Sequence, residues 1–248
     1  MAPIYHLILH IFFTSIILWF KRFQLKDKHV TVLLLSGEFV ATAGQDNPMP
    51  LCDHEEADSR IIVHIADAID KGAKTILVRT VDTDVIVIII GVFFALLSKC
   101  SDIDIWVAFG SGKNFQNFSI NKICGSLGQA RCTALPMYHA FSGCDTTSQF
   151  LGKGKKSSWE AWNAFPEVTD AFLFLAEHPF EQIDSSSDIF KLLERYVCVL
   201  YDKTSMTYSV NELRQELFSR KSNAIENIPP TQVGKHVEQS CFECLQAT

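Results

Sequence analysis

The stretch TILVRTVDTDVIVIIIGVFFALL, residues 75–97, decides the fold. Thr75 to Arg79 is short, β-branched and apolar, which predicts a central strand with parallel neighbours. Asp82-Thr83-Asp84 interrupts the apolar run. Val85 to Ile90 is β-branched throughout and by propensity alone reads as a second strand. The apolar character continues to Leu97, and that length also fits a buried helix. Both readings stand on residue pattern alone. The run is too short to span a membrane.

Upstream, Ile61, Ile62, Ile65, Ala68 and Ile69 recur at helical spacing and end at Lys71-Gly72. This predicts an amphipathic helix beginning near His54, with Asp53 as its cap and Glu56 completing a box-like pattern. Glu55, Glu56 and Asp58 fall in the first turn, where the helix dipole favours negative charge. Such acids are common as plain helix starts. Val30 to Leu35 reads as a buried strand closed by Ser36-Gly37, with Glu38 to Thr42 returning as a hairpin partner. Residues 44–50, GQDNPMP, are loop chemistry.

Downstream, Ile103 to Phe109 reads as a strand, residues 110–113 as a turn and Phe115 to Ile120 as an edge strand. The alternation of strand and helix predicts an α/β fold with a parallel sheet flanked by helices. From Asn121 the chain reads as largely helical, over residues 163–180 and 187–201, with Pro166 and Pro179 as breaks. Residues 211–221 read as a short polar helix, and the chain after Ile228 as a flexible tail.

Composition narrows the function classes. The chain has 248 residues, 48% hydrophobic and 20% charged, with 19 Phe, enough to bury a large core. Net charge is −6, so no global basic field draws nucleic acid, and any such binding needs a local patch. Only Cys241 and Cys244 of the eight cysteines stand in CxxC spacing, with no second pair to complete a zinc site. Reduced thiols in the nucleus or cytoplasm are the expectation. Ile4 to Phe20 is an apolar run at the lower limit of a membrane span, followed by Lys21, Arg22, Lys26 and Lys28. It reads as a membrane anchor or as a buried element. It lacks a basic leading region and a small-residue cleavage site, so a cleaved signal peptide is not expected.

The chemistry lies in acidic clusters at the borders of apolar segments: Glu55, Glu56 and Asp58; Asp82 and Asp84; and Asp145 in Gly143-Cys144-Asp145. Such borders converge at one end of a sheet. Gathered carboxylates repel unless a cation lies between them, and Mg²⁺ or Mn²⁺ takes oxygen ligands. A phosphodiester-cutting metal site is the expectation. The loop Gly152-Lys153-Gly154-Lys155-Lys156 offers backbone N–H groups and local positive charge to a phosphate, though a plain solvated basic turn has the same composition. His54, His64 and His139 read first as structural histidines, with His139 placed to line the site. Trp159 and Trp162 read as core.

Glu56-Ala57-Asp58, Asp82-Thr83-Asp84, Ala140-Phe141-Ser142-Gly143-Cys144-Asp145 and Gly152-Lys153-Gly154-Lys155-Lys156-Ser157 stand in an order and spacing that resemble 5′-nuclease domains of bacterial DNA polymerases and flap endonucleases. The fuller pattern, HEEAD…DTDV…LP…H…GCDTT…GKGKK, resembles uncharacterised animal proteins with a PIN-like, flap-endonuclease-like domain, over about residues 30–165. The resemblance implies a helix directly after Asp84. It implies Mg²⁺ or Mn²⁺ ligands at Glu55, Glu56, Asp58, Asp82, Asp84 and Asp145, and a helix-hairpin-helix-like loop at Gly152, Lys153, Gly154, Lys155 and Lys156. The substrate it implies is branched or single-stranded DNA or RNA, cut by two-metal hydrolysis.

The sequence departs from that pattern in two places. The family's early strand with its aspartate is missing, since Asp27 and Asp46 stand in other contexts, and Ser148 occupies the place of a second late aspartate. The domain layout expected is a hydrophobic segment over 1–28, a partial nuclease-like domain over 29–165, a helical extension over 166–228 and a tail over 229–248. The competing functions are a non-catalytic nucleic-acid- or protein-binding module on the same fold, and a membrane-anchored protein.

Overall fold

The structure is a computed structural model that describes residues 33–36, 39–42, 57–144, 147, 149–178, 181, 183–220 and 228–230, with side chains from Arg60 onward. The apolar run at 4–20, the Asp53 cap, Glu55, Glu56, Asp145, Ser148 and the Cys241/Cys244 pair lie outside the described residues.

Strands β1 (Leu33–Ser36) and β2 (Phe39–Thr42) form the antiparallel hairpin that the sequence suggests. Helix α1 (Ala57–Asp70) follows and leads into β3 (Thr75–Thr80). Helix α2 (Thr83–Lys99) then connects to β4 (Asp104–Phe109), which pairs in parallel with β3. A short connection with a 3₁₀ turn at Gly112–Asn114 leads to β5 (Gln116–Ser119).

The sheet differs from the fully parallel one expected. Its order is β3-β4-β5, and β5 runs antiparallel to β4. The reason is chain length. Only residues 110–115 separate β4 from β5, whereas a parallel crossover takes a dozen or more residues. Beyond the reach of β5, the side chain of Asn121 completes the ladder. Its Nδ2 donates to the Ile103 carbonyl at 2.8 Å, and its Oδ1 accepts from the Ile105 amide at 2.9 Å.

The 85–97 run is helix. Val85, Ile89, Ile90, Phe93 and Leu96 are its buried residues, at spacings of three and four that mark a helical face. β-Branched propensity costs only a few tenths of a kcal/mol per residue, so burial against other elements overrides it.

After the sheet come α3 (Ile120–Leu127), α4 (Gln129–Phe141), α5 (Lys155–Ala164), α6 (Val168–Glu177), α7 (Asp188–Tyr201) and α8 (Val210–Ser219). One buried cluster runs from Ile61 on α1 to Leu217 on α8, so the core continues across position 165. Its aromatic centre joins Tyr138 of α4, Trp162 of α5, Phe172 of α6 and Tyr196 of α7. Trp162 is fully buried, and its Nε1 donates to Thr169 Oγ1 at 2.9 Å. Helices α2 and α4 meet closely where Gly91 faces the ring of Pro136. Pro136 removes one intrahelical donor and bulges that face of α4. A residue without a side chain opposite gives the ring room.

Candidate metal and phosphate site

The C-terminal ends of β3 and β4 are clasped by Arg79. Its Nη1 donates to the Thr80 carbonyl at 2.8 Å and the Ala108 carbonyl at 2.9 Å, and its Nη2 donates to the Gly110 carbonyl. The guanidinium lies 5.2 Å from the centre of the Phe115 ring, and burial pulls its pKa below the usual arginine value. This clasp fixes the sheet end from which Asp82 emerges.

Local hydrogen bonding explains the turn there. Thr80 Oγ1 accepts from the Asp82 amide at 3.0 Å. Asp82 is extended and caps α2, with Oδ1 accepting from the Asp84 amide at 2.9 Å. Capping satisfies an N–H group that the helix itself leaves unmet. Asp84 then sits in the first turn, where the dipole stabilises its charge.

Asp84 Oδ1 receives His139 Nε2 at 3.0 Å, from 55 residues away in sequence. The two side chains are 32% and 17% exposed, so the pair is reachable from solvent without lying open to it. His139 is in the last turn of α4. The Gly143-Cys144 turn begins just beyond. Gly143 has φ +96°, and a Cβ there would lie 2.9 Å from the Gln149 Cα, so glycine is required. Thr147 Oγ1 donates to the Ala140 carbonyl at 2.8 Å and accepts from the Cys144 amide at 2.9 Å. These bonds hold Cys144 and Thr147 against the end of α4; Asp145 follows Cys144 in sequence and lies outside the described residues.

The lysine loop reaches the same corner. Lys155 opens α5, and its Nζ donates to the His139 carbonyl and to Ser142 Oγ, the latter at 2.8 Å. Tyr138 Oη donates to the Lys155 carbonyl at 3.1 Å, and burial pushes the Tyr138 phenol up to about 12. Lys153 Nζ lies 4.9 Å from the Tyr201 ring centre, and burial, then nearby Lys203, lower its pKa. Gly152 has φ +72°, and Gly154 caps α5 with no side chain. Lys156 is exposed.

Asp58 is placed only by its backbone. The C-terminal ends of α1 and α2 adjoin through Asp70 and Lys99, 3.3 Å apart. Asp58 lies in the first turn of α1. Among the described residues, no three His, Cys, Asp or Glu side chains are gathered to hold a metal. Asp84 and His139 form a pair, and Asp82 Oδ1 is engaged as the helix cap. The carboxylate oxygens suit Mg²⁺ or Mn²⁺ in donor type.

Sequence reading missed Tyr138, Ser142 and Thr147, which hold this corner together. Hydroxyl residues grouped around a helix end, Ser142 and Thr147 flanking Gly143, are the signal that could have found the last two. Comparison with known proteins finds no matching family model, and no match among curated proteins or solved structures. No helix among the described residues is long and apolar enough to cross a membrane.

Proposed function

We propose that this corner is a divalent-metal site acting on nucleic-acid phosphodiesters, of the kind that PIN-like and flap-endonuclease-like domains carry. The observation that supports it most is the meeting of Asp84 with His139. It joins the start of the helix after β3 to the end of the helix that leads into Gly143-Cys144-Asp145. Segments that resemble separate motifs of those nucleases thus adjoin, and Lys155 brings the glycine–lysine loop beside them.

In this reading Asp82 and Asp84 hold Mg²⁺ or Mn²⁺, with Glu55, Glu56, Asp58 and Asp145 as the further carboxylates. The bound ion supplies Lewis-acid stabilisation and a nucleophilic hydroxide. Asp82 orients the first turn of α2 through its cap. His139 holds Asp84 in one rotamer. Lys153 and Lys156 with the Gly152–Gly154 backbone contact the phosphate backbone of branched or single-stranded DNA or RNA.

The test is Mn²⁺ binding by calorimetry together with cleavage of a flap substrate. The wild-type chain binds Mn²⁺, and Asp84→Ala loses both binding and cleavage. Unchanged Mn²⁺ affinity in Asp84→Ala overturns the reading. A second reading, a binding module without catalysis, is favoured by the way Asp82 Oδ1 is engaged as a cap and Asp84 Oδ1 by His139. It expects salt-sensitive nucleic-acid binding that survives Asp84→Ala and no cleavage by either protein.

A further inference from the structure

We infer that Lys155, although it stands in the basic loop, is a positioning residue for the carboxylate corner and not a phosphate ligand; its effect on metal binding rests on the function proposed above. An ammonium has three donors. Lys155 directs Nζ to the His139 carbonyl and to Ser142 Oγ at 2.8 Å. The ammonium also lies 5.9 Å from the centre of the Tyr138 ring, within range of a cation–π contact.

The contact is reciprocal. Tyr138 Oη donates to the Lys155 carbonyl at 3.1 Å, so α4 and α5 hold each other through both residues. The His139 carbonyl belongs to the last turn of α4, where carbonyls lack intrahelical donors and the dipole is negative. A cation belongs there. Ser142 passes the constraint on, because its Oγ accepts from Lys155 while donating to the Tyr138 carbonyl at 2.8 Å.

Two things depend on that helix end. One is the direction of the His139 ring, whose Nε2 meets Asp84. The other is the placing of Gly143 and Cys144, which follow directly. Lys155 sets both through the His139 backbone and Ser142, and these two hydrogen bonds do not involve the Asp82 or Asp84 carboxylates. Lys153 stands over Tyr201; Lys155 and Lys156 are both exposed, and Lys155 is set apart by the hydrogen bonds of its Nζ. Three lysines that look equivalent in sequence therefore divide into two roles, and the loop is tied mechanically to the acids it adjoins.

The experiment uses the full chain with Lys155→Met, Lys155→Arg, Ser142→Ala and Lys156→Met. Three quantities are read: Mn²⁺ affinity, the salt slope of binding to a flap DNA, and maleimide labelling of Cys144 followed by peptide mapping. Lys155→Met lowers Mn²⁺ affinity about tenfold, as loss of an orienting partner does. It speeds Cys144 labelling and leaves the salt slope unchanged. Ser142→Ala gives the same pattern more weakly, and Lys155→Arg restores slow labelling. Lys156→Met lowers the slope by about one unit and leaves Cys144 alone. Wild-type labelling in Lys155→Met, or a slope reduced as in Lys156→Met, overturns the inference. If the wild-type chain binds no Mn²⁺, the proposed function falls, while Cys144 labelling still decides the role of Lys155.

Discussion

Replacing Gly91 by alanine sets two effects against each other. In a helix interior, alanine is favoured over glycine by about 1 kcal/mol. At this position the new Cβ would lie 2.4 Å from Pro136 Cγ and 3.0 Å from Pro136 Cδ. Carbon atoms in contact sit at about 3.5 Å or more, so the helices must part by roughly 1 Å. A proline ring cannot swing aside as a long side chain can. The neighbours Ile90 and Cys132 are buried, so there is no space to move into. Overpacking of this size costs about 1–3 kcal/mol. Subtracting the helical gain leaves a net loss of up to about 2 kcal/mol. In a chain of this length that is a fall of up to roughly 8 °C in Tm. Urea unfolding followed by tryptophan fluorescence measures it, with the midpoint falling at constant m. Gly91→Ala combined with Pro136→Ala should recover part of the loss, because the ring that obstructs the methyl is gone. A Gly91→Ala midpoint at or above wild type refutes the reasoning and means that α2 and α4 are not held at this separation.

Asp82 combines a cap with a proposed ligand, and two substitutions separate them: Asp82→Ala loses about 1 kcal/mol of stability and metal binding, whereas Asp82→Ser keeps the cap and loses the metal alone, by urea unfolding and calorimetry. His64 is 3% exposed on α1, and among the described residues neither ring nitrogen has a hydrogen-bond partner. Burial lowers its pKa below 6.5, Asp67 opposes that shift and Arg60 adds to it. The fold thus holds His64 neutral while the unfolded chain takes up a proton near 6.5. The stability His64 contributes is fully present above that value and falls as the pH drops below it. His64→Leu should flatten the dependence of the urea midpoint between about pH 7 and 5, and an unchanged slope refutes this. A chain ending at Phe165 uncovers Trp162 and Tyr138 by removing Phe172 and Tyr196. It should give the broad, non-cooperative unfolding of an exposed core; a cooperative transition near the wild-type midpoint counts against a shared core.

The sequence shows the elements whose cause is local. The period of Ile61, Ile65, Ala68 and Ile69 gives α1, and the β-branched Thr75–Thr80 segment gives β3. Residues 85–97 are ambiguous because they are apolar on every side, and a helix buried between neighbours carries no periodic signal. The direction of β5 could have been read from the short connection after Phe109, since loop length alone forbids a parallel return. The candidate site is less legible. Asp82 and Asp84 stand out as acids at a strand end, but the partner of Asp84 lies 55 residues away, and His139 is marked only by its place before Gly143-Cys144-Asp145, with nothing to pair it with Asp84. Lys155 misleads for the same reason: its neighbours are glycines and lysines, while its hydrogen-bond partners are on another helix.

The indole pair gives the molecule a built-in optical gauge. Trp159 and Trp162 lie with ring centres 5.6 and 4.6 Å from Tyr138, the residue that grips Lys155. Any event that twists the end of α4 changes the surroundings of those two emitters before the rest of the core responds. Ion or oligonucleotide titrations can therefore be followed by native emission, with no dye attached near the carboxylates.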